Sequence, residues 1–245
     1  MDPAVTTMSI QTPPAAPSRA RLTARVLVRS VLFSAFLGVL VFLPAGTWHF
    51  WQAWVFAAFY LAPIIGFLLW LVIVDPATAQ RRLERGEREP TQRKLVRYIT
   101  PLFLIALVAP GFDYRFGWTR EALGPVPGWV SLAADFLTVA GVFLGLWTVN
   151  VNRYAARTVR VEEGQQVIGS GPYRLIRHPM YAGMCLAQLA MPLGLASIVT
   201  IPLFALLIPF YMARLLNEEK VLQRDLPGYS EYCRRTRYRL IPFVW

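Results

Sequence analysis

The sequence predicts an all-α polytopic integral membrane protein of about five or six transmembrane segments, the last two folded as a C-terminal helical hairpin. Three observations carry that prediction. The 245 residues are 56% hydrophobic and only 16% charged, whereas a soluble domain carries about 25% charged residues. The apolar residues fall in long blocks rather than in alternation, the pattern of helices that cross hydrocarbon. The 25 Lys and Arg outnumber the 14 Asp and Glu, for a formal net charge of +11, and they collect between blocks as they do in cytoplasmic loops.

Residues 1–18 are rich in Pro, Ala and Thr without apolar periodicity and read as a disordered leader. Residues 19–149 follow as N-terminal transmembrane helices, and 150–245 as a C-terminal core. The first apolar block, 26–43, is preceded by Arg19, Arg21 and Arg25 and carries Arg29 near its start. No small-residue cleavage site separates it from Trp48, Phe50 and Trp51, so it is a retained helix and not a signal peptide. Blocks 51–74 and 129–149 reach the roughly 20 residues that cross about 30 Å of hydrocarbon, and block 96–110 falls short. Blocks 180–196 and 198–215 are almost contiguous. With Gly194 and Ser197 at their junction and Pro192, Pro202 and Pro209 along them, they read as a tight hairpin.

Charge placement orients the bundle. Of the 25 basic residues, only Arg115 and Arg120 fall in intervals on the far side, which predicts an even number of crossings with both termini cytoplasmic. Compact loops and arginine-heavy usage fit a bacterial cytoplasmic membrane. A nucleic-acid partner is excluded, because no basic helix or aromatic-interleaved sheet is left over to bind one. Cys185 lies in an apolar block and Cys233 in the basic tail, which suits neither a disulfide nor a metal site. Trp48, Trp51 and Trp54 read as an interfacial aromatic belt.

Two polar stretches, 150–178 and 217–245, abut the hairpin from the cytoplasmic side. Residues 171–183 read GPYRLIRHPMYAG. Pro179 suits a first helical position, where its missing N–H has no partner to lose. Arg177 and His178 then lie at the positive end of that helix beside unpaired amides, a setting for a carboxylate. Residues 217–222 read NEEKVL. Acids beside a membrane surface need partners, either local arginines or a ligand's ammonium and hydroxyl groups. Glu218 and Glu219 face about 100° apart on a helix, so one of the pair points into a pocket. Residues 227–242 close the pattern as PGYSEYCRRTRYRLIP.

These three motifs, in this order around a hairpin, resemble the isoprenylcysteine carboxyl methyltransferase family of integral membrane enzymes, its bacterial relatives and the wider phospholipid methyltransferase-like group. The resemblance covers roughly 150–245. It implies a cytoplasm-facing S-adenosylmethionine pocket, made by the loop before the hairpin and the segment after it, and a lipid-facing tunnel for a hydrophobic acceptor. On the matching positions it implies that Gln165, Gly171, Tyr173, His178, Pro179, Tyr181, Gly183 and Glu218 bind the cofactor, while Arg177, Arg235 and Glu219 are catalytic. Gln165 stands where the eukaryotic enzymes have a histidine before the GPY-type turn; His49 and His178 are the only histidines in the chain. No metal is implied. Relatives with the same layout include phospholipid N-methyltransferases, thiol S-methyltransferases and membrane sterol reductases.

Each of these residues also has a plainer role open to it. Arg177 can snorkel to headgroups or pair with Glu218. Arg234, Arg235, Arg237 and Arg239 can serve only as a topology signal drawn to anionic lipid, at about 1 kcal/mol each. The nucleophile separates the reaction classes. A carboxylate with pKa near ~4 is ionised at pH 7 and needs only an arginine to hold it. A protonated amine needs a base, and a thiol near ~8.5 needs a cationic setting. Plentiful arginines and a single nearby histidine favour O-methylation of a lipophilic carboxylate, prenylcysteine-like or a small-molecule analogue, entering from membrane lipid. An NADPH-dependent reductase and a non-catalytic scaffold are the competing classes.

Overall fold

The computed structural model describes residues 18–83, 89–154, 161 and 164–245. Among them the secondary structure is helical throughout: α1 (Arg19–Ala45), α2 (Trp51–Val74), α3 (Pro76–Leu83), α4 (Pro90–Phe116), α5 (Trp118–Leu123), α6 (Gly128–Val151), α7 (Pro179–Gly194), α8 (Ile201–Ala205), α9 (Ile208–Asp225) and α10 (Tyr229–Arg235). Single 3-10 turns lie at Gly171–Arg174 and Ile198–Thr200. Among the described residues five stretches are long and apolar enough to cross a membrane: α1, α2, α4, α6 and Ile198–Asp225. Helix α7, with 16 residues, is about 24 Å long and forms the shorter arm of the hairpin. The leader expected over 1–18 lies, Ser18 apart, outside the described residues.

The helices overrun the apolar blocks for identifiable reasons. Ser18 caps α1 by accepting from the Arg21 N–H, so the arginines before residue 26 ride on the helix and do not precede it. Gly46, at φ 67°, ends α1 by turning left-handed. Helix α4 starts six residues before its apolar block because the Glu89 carboxylate caps the Gln92 N–H and Pro90 occupies the first turn. The second hairpin arm is two helices and not one, since Pro202 and Pro209 each sit in a first turn and open α8 and α9. Helix α9 continues to Asp225, ten residues beyond the apolar block, and thereby carries Glu218 and Glu219 on its ordered last turns.

Two close helix crossings depend on missing side chains. A Cβ on Gly141 of α6 would collide with the Gly183 carbonyl of α7, and one on Gly183 with the Gly141 carbonyl. Gly111 of α4 fits against the Val41 carbonyl of α1 in the same way. Small residues let backbones approach where lipid leaves little hydrophobic drive between helices.

The two ends of the bundle differ. At one end Gly46 faces Arg115, Phe50 stacks on Tyr114, and Gly128 faces Trp51. Inward from that end the interior is packed solid around Phe42, Phe50, Phe56, Phe204 and Leu207. The other end gathers the basic intervals, and there the bundle is hollow.

Candidate active site

The hollow is a cavity of about 1070 Å³, at the upper limit of ordinary ligand pockets, which span roughly 300–1,000 Å³. Its inner part lies between α2 and α4 on one side and α6, α7 and α9 on the other, walled by residues such as Ile64, Phe103, Leu146 and Met184. Its mouth, at the basic end, is polar.

Glu219 organises that end. It is 4% exposed, and its Oε1 accepts from Arg177 Nη1 at 2.8 Å and faces His178 Nε2 at 3.2 Å. Its Oε2 accepts from Arg239 Nε at 2.8 Å. The chain places these groups by backbone pairing: the Arg177 N–H donates to the Tyr238 carbonyl at 2.8 Å, and the His178 N–H to the Arg239 carbonyl at 2.9 Å. Arg177 Nη2 adds a bond to the Arg237 carbonyl at 3.1 Å. One carboxylate thus clasps the loop before α7, the last turns of α9 and the segment after α10. Its two guanidiniums leave the cluster with excess positive charge.

Glu218, one residue earlier and about 100° around the helix, lines the cavity and accepts from the Tyr181 hydroxyl at 2.9 Å. Of the acidic pair, then, Glu218 faces the pocket and Glu219 faces the ion cluster. Tyr173, in the 3-10 turn, takes a bond from Asn152 Nδ2 on its hydroxyl at 3.0 Å, and its carbonyl accepts from the Tyr232 hydroxyl at 2.9 Å. Burial pushes the Tyr173 hydroxyl up to about 12, so it is protonated at any physiological pH.

Most residues singled out from the sequence come together here. Gln165, Tyr173, Arg177 and His178 line the cavity, as do Pro179, Tyr181, Gly183 and Glu218. Gly183 does so from within the α6–α7 crossing, so its packing role accounts for the glycine. Gly171 is not in the cavity wall. Its φ of +57° and a would-be Cβ within 3 Å of Val151 require glycine for the turn itself. Arg235 is exposed on α10 and is not in the wall either.

Sequence reasoning passed over four contributors. Arg239 completes the Glu219 cluster, and its guanidinium also lies 5.2 Å from the Trp245 ring centroid. Arg214 and Tyr229 line the cavity. Tyr229 is 4% exposed and its hydroxyl has no protein partner among the described residues. Gln92 of α4 donates to the Arg214 carbonyl at 2.9 Å and to Asn217 Oδ1 at 2.8 Å, fixing α9 to α4. The position of Arg214 one turn before Glu218 on the same helix face was a usable signal; Gln92 offered none.

Residues 129–227 match the family described as phospholipid methyltransferase. The matched segment runs from the first turn of α6 past the end of α9 and contains every cavity-lining residue singled out from the sequence. Over 95 residues the chain is 34% identical to the Delta(14)-sterol reductase TM7SF2 of Mus musculus, covering 36% of this chain and 22% of that protein. It is 32% identical over 146 residues to the nickel-cobalt-cadmium resistance protein NccN of Alcaligenes xylosoxydans xylosoxydans, covering 57% of this chain and 60% of the relative. It is 31% identical over 110 residues to the cobalt-zinc-cadmium resistance protein CzcN of Cupriavidus metallidurans, covering 44% and 49%. The chain therefore spans between about a fifth and three fifths of the length of these relatives.

Proposed function

From the match of segment 129–227 to the phospholipid methyltransferase family, we propose that this protein is an integral membrane methyltransferase that uses S-adenosylmethionine to O-methylate the carboxylate of a lipophilic, prenylcysteine-like acceptor. The observation that carries the proposal is one cavity with two chemistries, a charged mouth at the basic end and an apolar interior open to long hydrocarbon. In this reading the basic end and both termini face the cytoplasm.

The residues present fit the cofactor. The buried hydroxyl of Tyr229, without a protein partner among the described residues, is a donor waiting for a ligand in this wall. Glu218 offers a carboxylate to the cofactor's ammonium or ribose hydroxyls, and Gln165 and Tyr173 flank it. When bound, S-adenosylmethionine supplies a methyl group whose bond to the sulfonium breaks as the bond to the acceptor oxygen forms, leaving a neutral thioether. The protein's work is alignment and exclusion of water. Tyr181 and His178, with rings in edge contact at 5.9 Å, close the wall beside Glu218. Arg177, held in place by Glu219, presents its Nε–H, which has no partner among the described residues, to the acceptor carboxylate, which is already ionised at neutral pH and needs no base. A protonated amine would need one, and His178, the only imidazole in the wall, is tied to Glu219. This favours the carboxylate over the phospholipid amine; a thiolate beside the same cations is the next choice.

Calorimetric titration of the detergent-solubilised protein with S-adenosylmethionine, with NADPH as the control, tests the cofactor. Saturable binding with base-labile product methyl supports the ester-forming reaction. Binding of NADPH alone would transfer the assignment to the reductase class, which the named mammalian relative favours.

A further inference from the structure

Deep in the apolar part of the cavity two polar side chains face each other with a hydrogen-bonding group to spare. Gln188 of α7 is 3% exposed and Tyr211 of α9 is 5% exposed, and both line the cavity. The Tyr211 hydroxyl donates to Gln188 Oε1 at 3.4 Å, and Gln188 Nε2 has no protein partner among the described residues. Around them the wall is soft and apolar, with Met184 and Met191 on the same face of α7 and Tyr60 opposite. An amide N–H buried without a partner carries a desolvation cost that a ligand oxygen removes. Tyr211 lies eight residues before Glu219 on the same helix, so the pair sits about 12 Å along the axis from the charged cluster.

We infer that Gln188 and Tyr211 form a recognition subsite for an oxygen function, a ketone or hydroxyl, carried on the hydrocarbon portion of the acceptor about 12 Å from its carboxylate. The acceptor is then an oxygenated lipophile and not a plain hydrocarbon chain. The inference deepens the proposed function and rests on its placement of the carboxylate at Arg177.

The test uses the full chain in lipid nanodiscs, with palmitic acid and its mid-chain keto derivatives as probes, titrated against wild type and Gln188→Met. The substitution keeps the volume and matches the neighbouring methionines. One position of the ketone should improve binding over palmitate by roughly three- to tenfold in wild type, the range of one neutral hydrogen bond. That preference should vanish in Gln188→Met while palmitate affinity is unchanged. The subsite is refuted if no keto position outbinds palmitate in wild type, a result independent of how the variant folds, or if the preference survives in Gln188→Met. A parallel titration with S-adenosylmethionine separates the two claims: its failure removes the methyltransferase reading, whereas the ketone preference is read without cofactor.

Discussion

Asp113 and Glu219 are both buried carboxylates, 3% and 4% exposed, at opposite ends of one bundle, and they are satisfied in opposite ways. Asp113, near the end of α4, takes only neutral donors among the described residues. The Thr119 N–H reaches Oδ1 at 2.7 Å and the Thr119 hydroxyl reaches Oδ2 at 2.6 Å, joined there by the Ser197 hydroxyl from the hairpin turn. The knot ties α4, α5 and the hairpin together, and none of its three residues lines the cavity. Glu219 takes two guanidiniums, from Arg177 and Arg239, and faces the His178 ring, and Arg177 and His178 are themselves walls of a cavity. A buried acid among hydroxyls is a lock. A buried acid whose partners face open space is a lock that also holds those groups in position.

The largest expected effect breaks the charged lock. Glu219→Ala leaves two guanidiniums without their carboxylate and should lower stability by about 3 kcal/mol, the low end of the range for breaking a buried pair, because Arg239 keeps 31% of its side chain exposed. Thermal unfolding in detergent reads the loss, and S-adenosylmethionine binding should fall with it as the loop before α7 is released. Asp113→Ala leaves three donors unpaired at the other end and should cost about 2–3 kcal/mol. Here the cofactor affinity of the folded fraction should stay at the wild-type value. Equal loss of binding in both variants would abolish the distinction between the two ends.

Glu218→Gln sharpens the same contrast from inside the cavity. The amide oxygen still accepts from Tyr181, so the melting temperature should hold. Loss of the charge facing the cofactor should weaken S-adenosylmethionine binding by about tenfold or more, the scale of a hydrogen bond to a charged group. A shifted melting temperature with unchanged affinity would mean that Glu218 is a structural acid like Asp113.

The contrast also marks how far the sequence could be read. Apolar blocks located every long helix, because burial in lipid needs little more than length and hydropathy. They missed the polar extensions, since the Glu89 cap on α4 and the run through Glu218 and Glu219 on α9 are set by capping and tertiary pairing. The cavity wall was legible where motif residues cluster, as from Tyr173 to Gly183, within eleven positions of sequence. Asp113 was not, because its partners Thr119 and Ser197 come from a short helix and a turn whose approach no local pattern announces.

Arg235 and Arg239 pose the finest case, and the smallest expected effect. Both sit in one basic run four residues apart, and the resemblance to known methyltransferases favours Arg235. The structure separates them through Thr236, where α10 ends. Beyond that point the chain turns extended and pairs Tyr238 and Arg239 with Arg177 and His178, which delivers the Arg239 guanidinium to Glu219 while Arg235 stays exposed on the helix. Arg235→Ala should therefore change stability by no more than about 0.5 kcal/mol, as surface substitutions do, and leave turnover with a lipophilic carboxylate intact. Arg239→Ala should lower both, because it strips Glu219 of a partner and loosens Arg177. If turnover instead falls with Arg235→Ala alone, the acceptor approaches from the α10 side, and the exposed arginine, rather than the clasped one, guides it in.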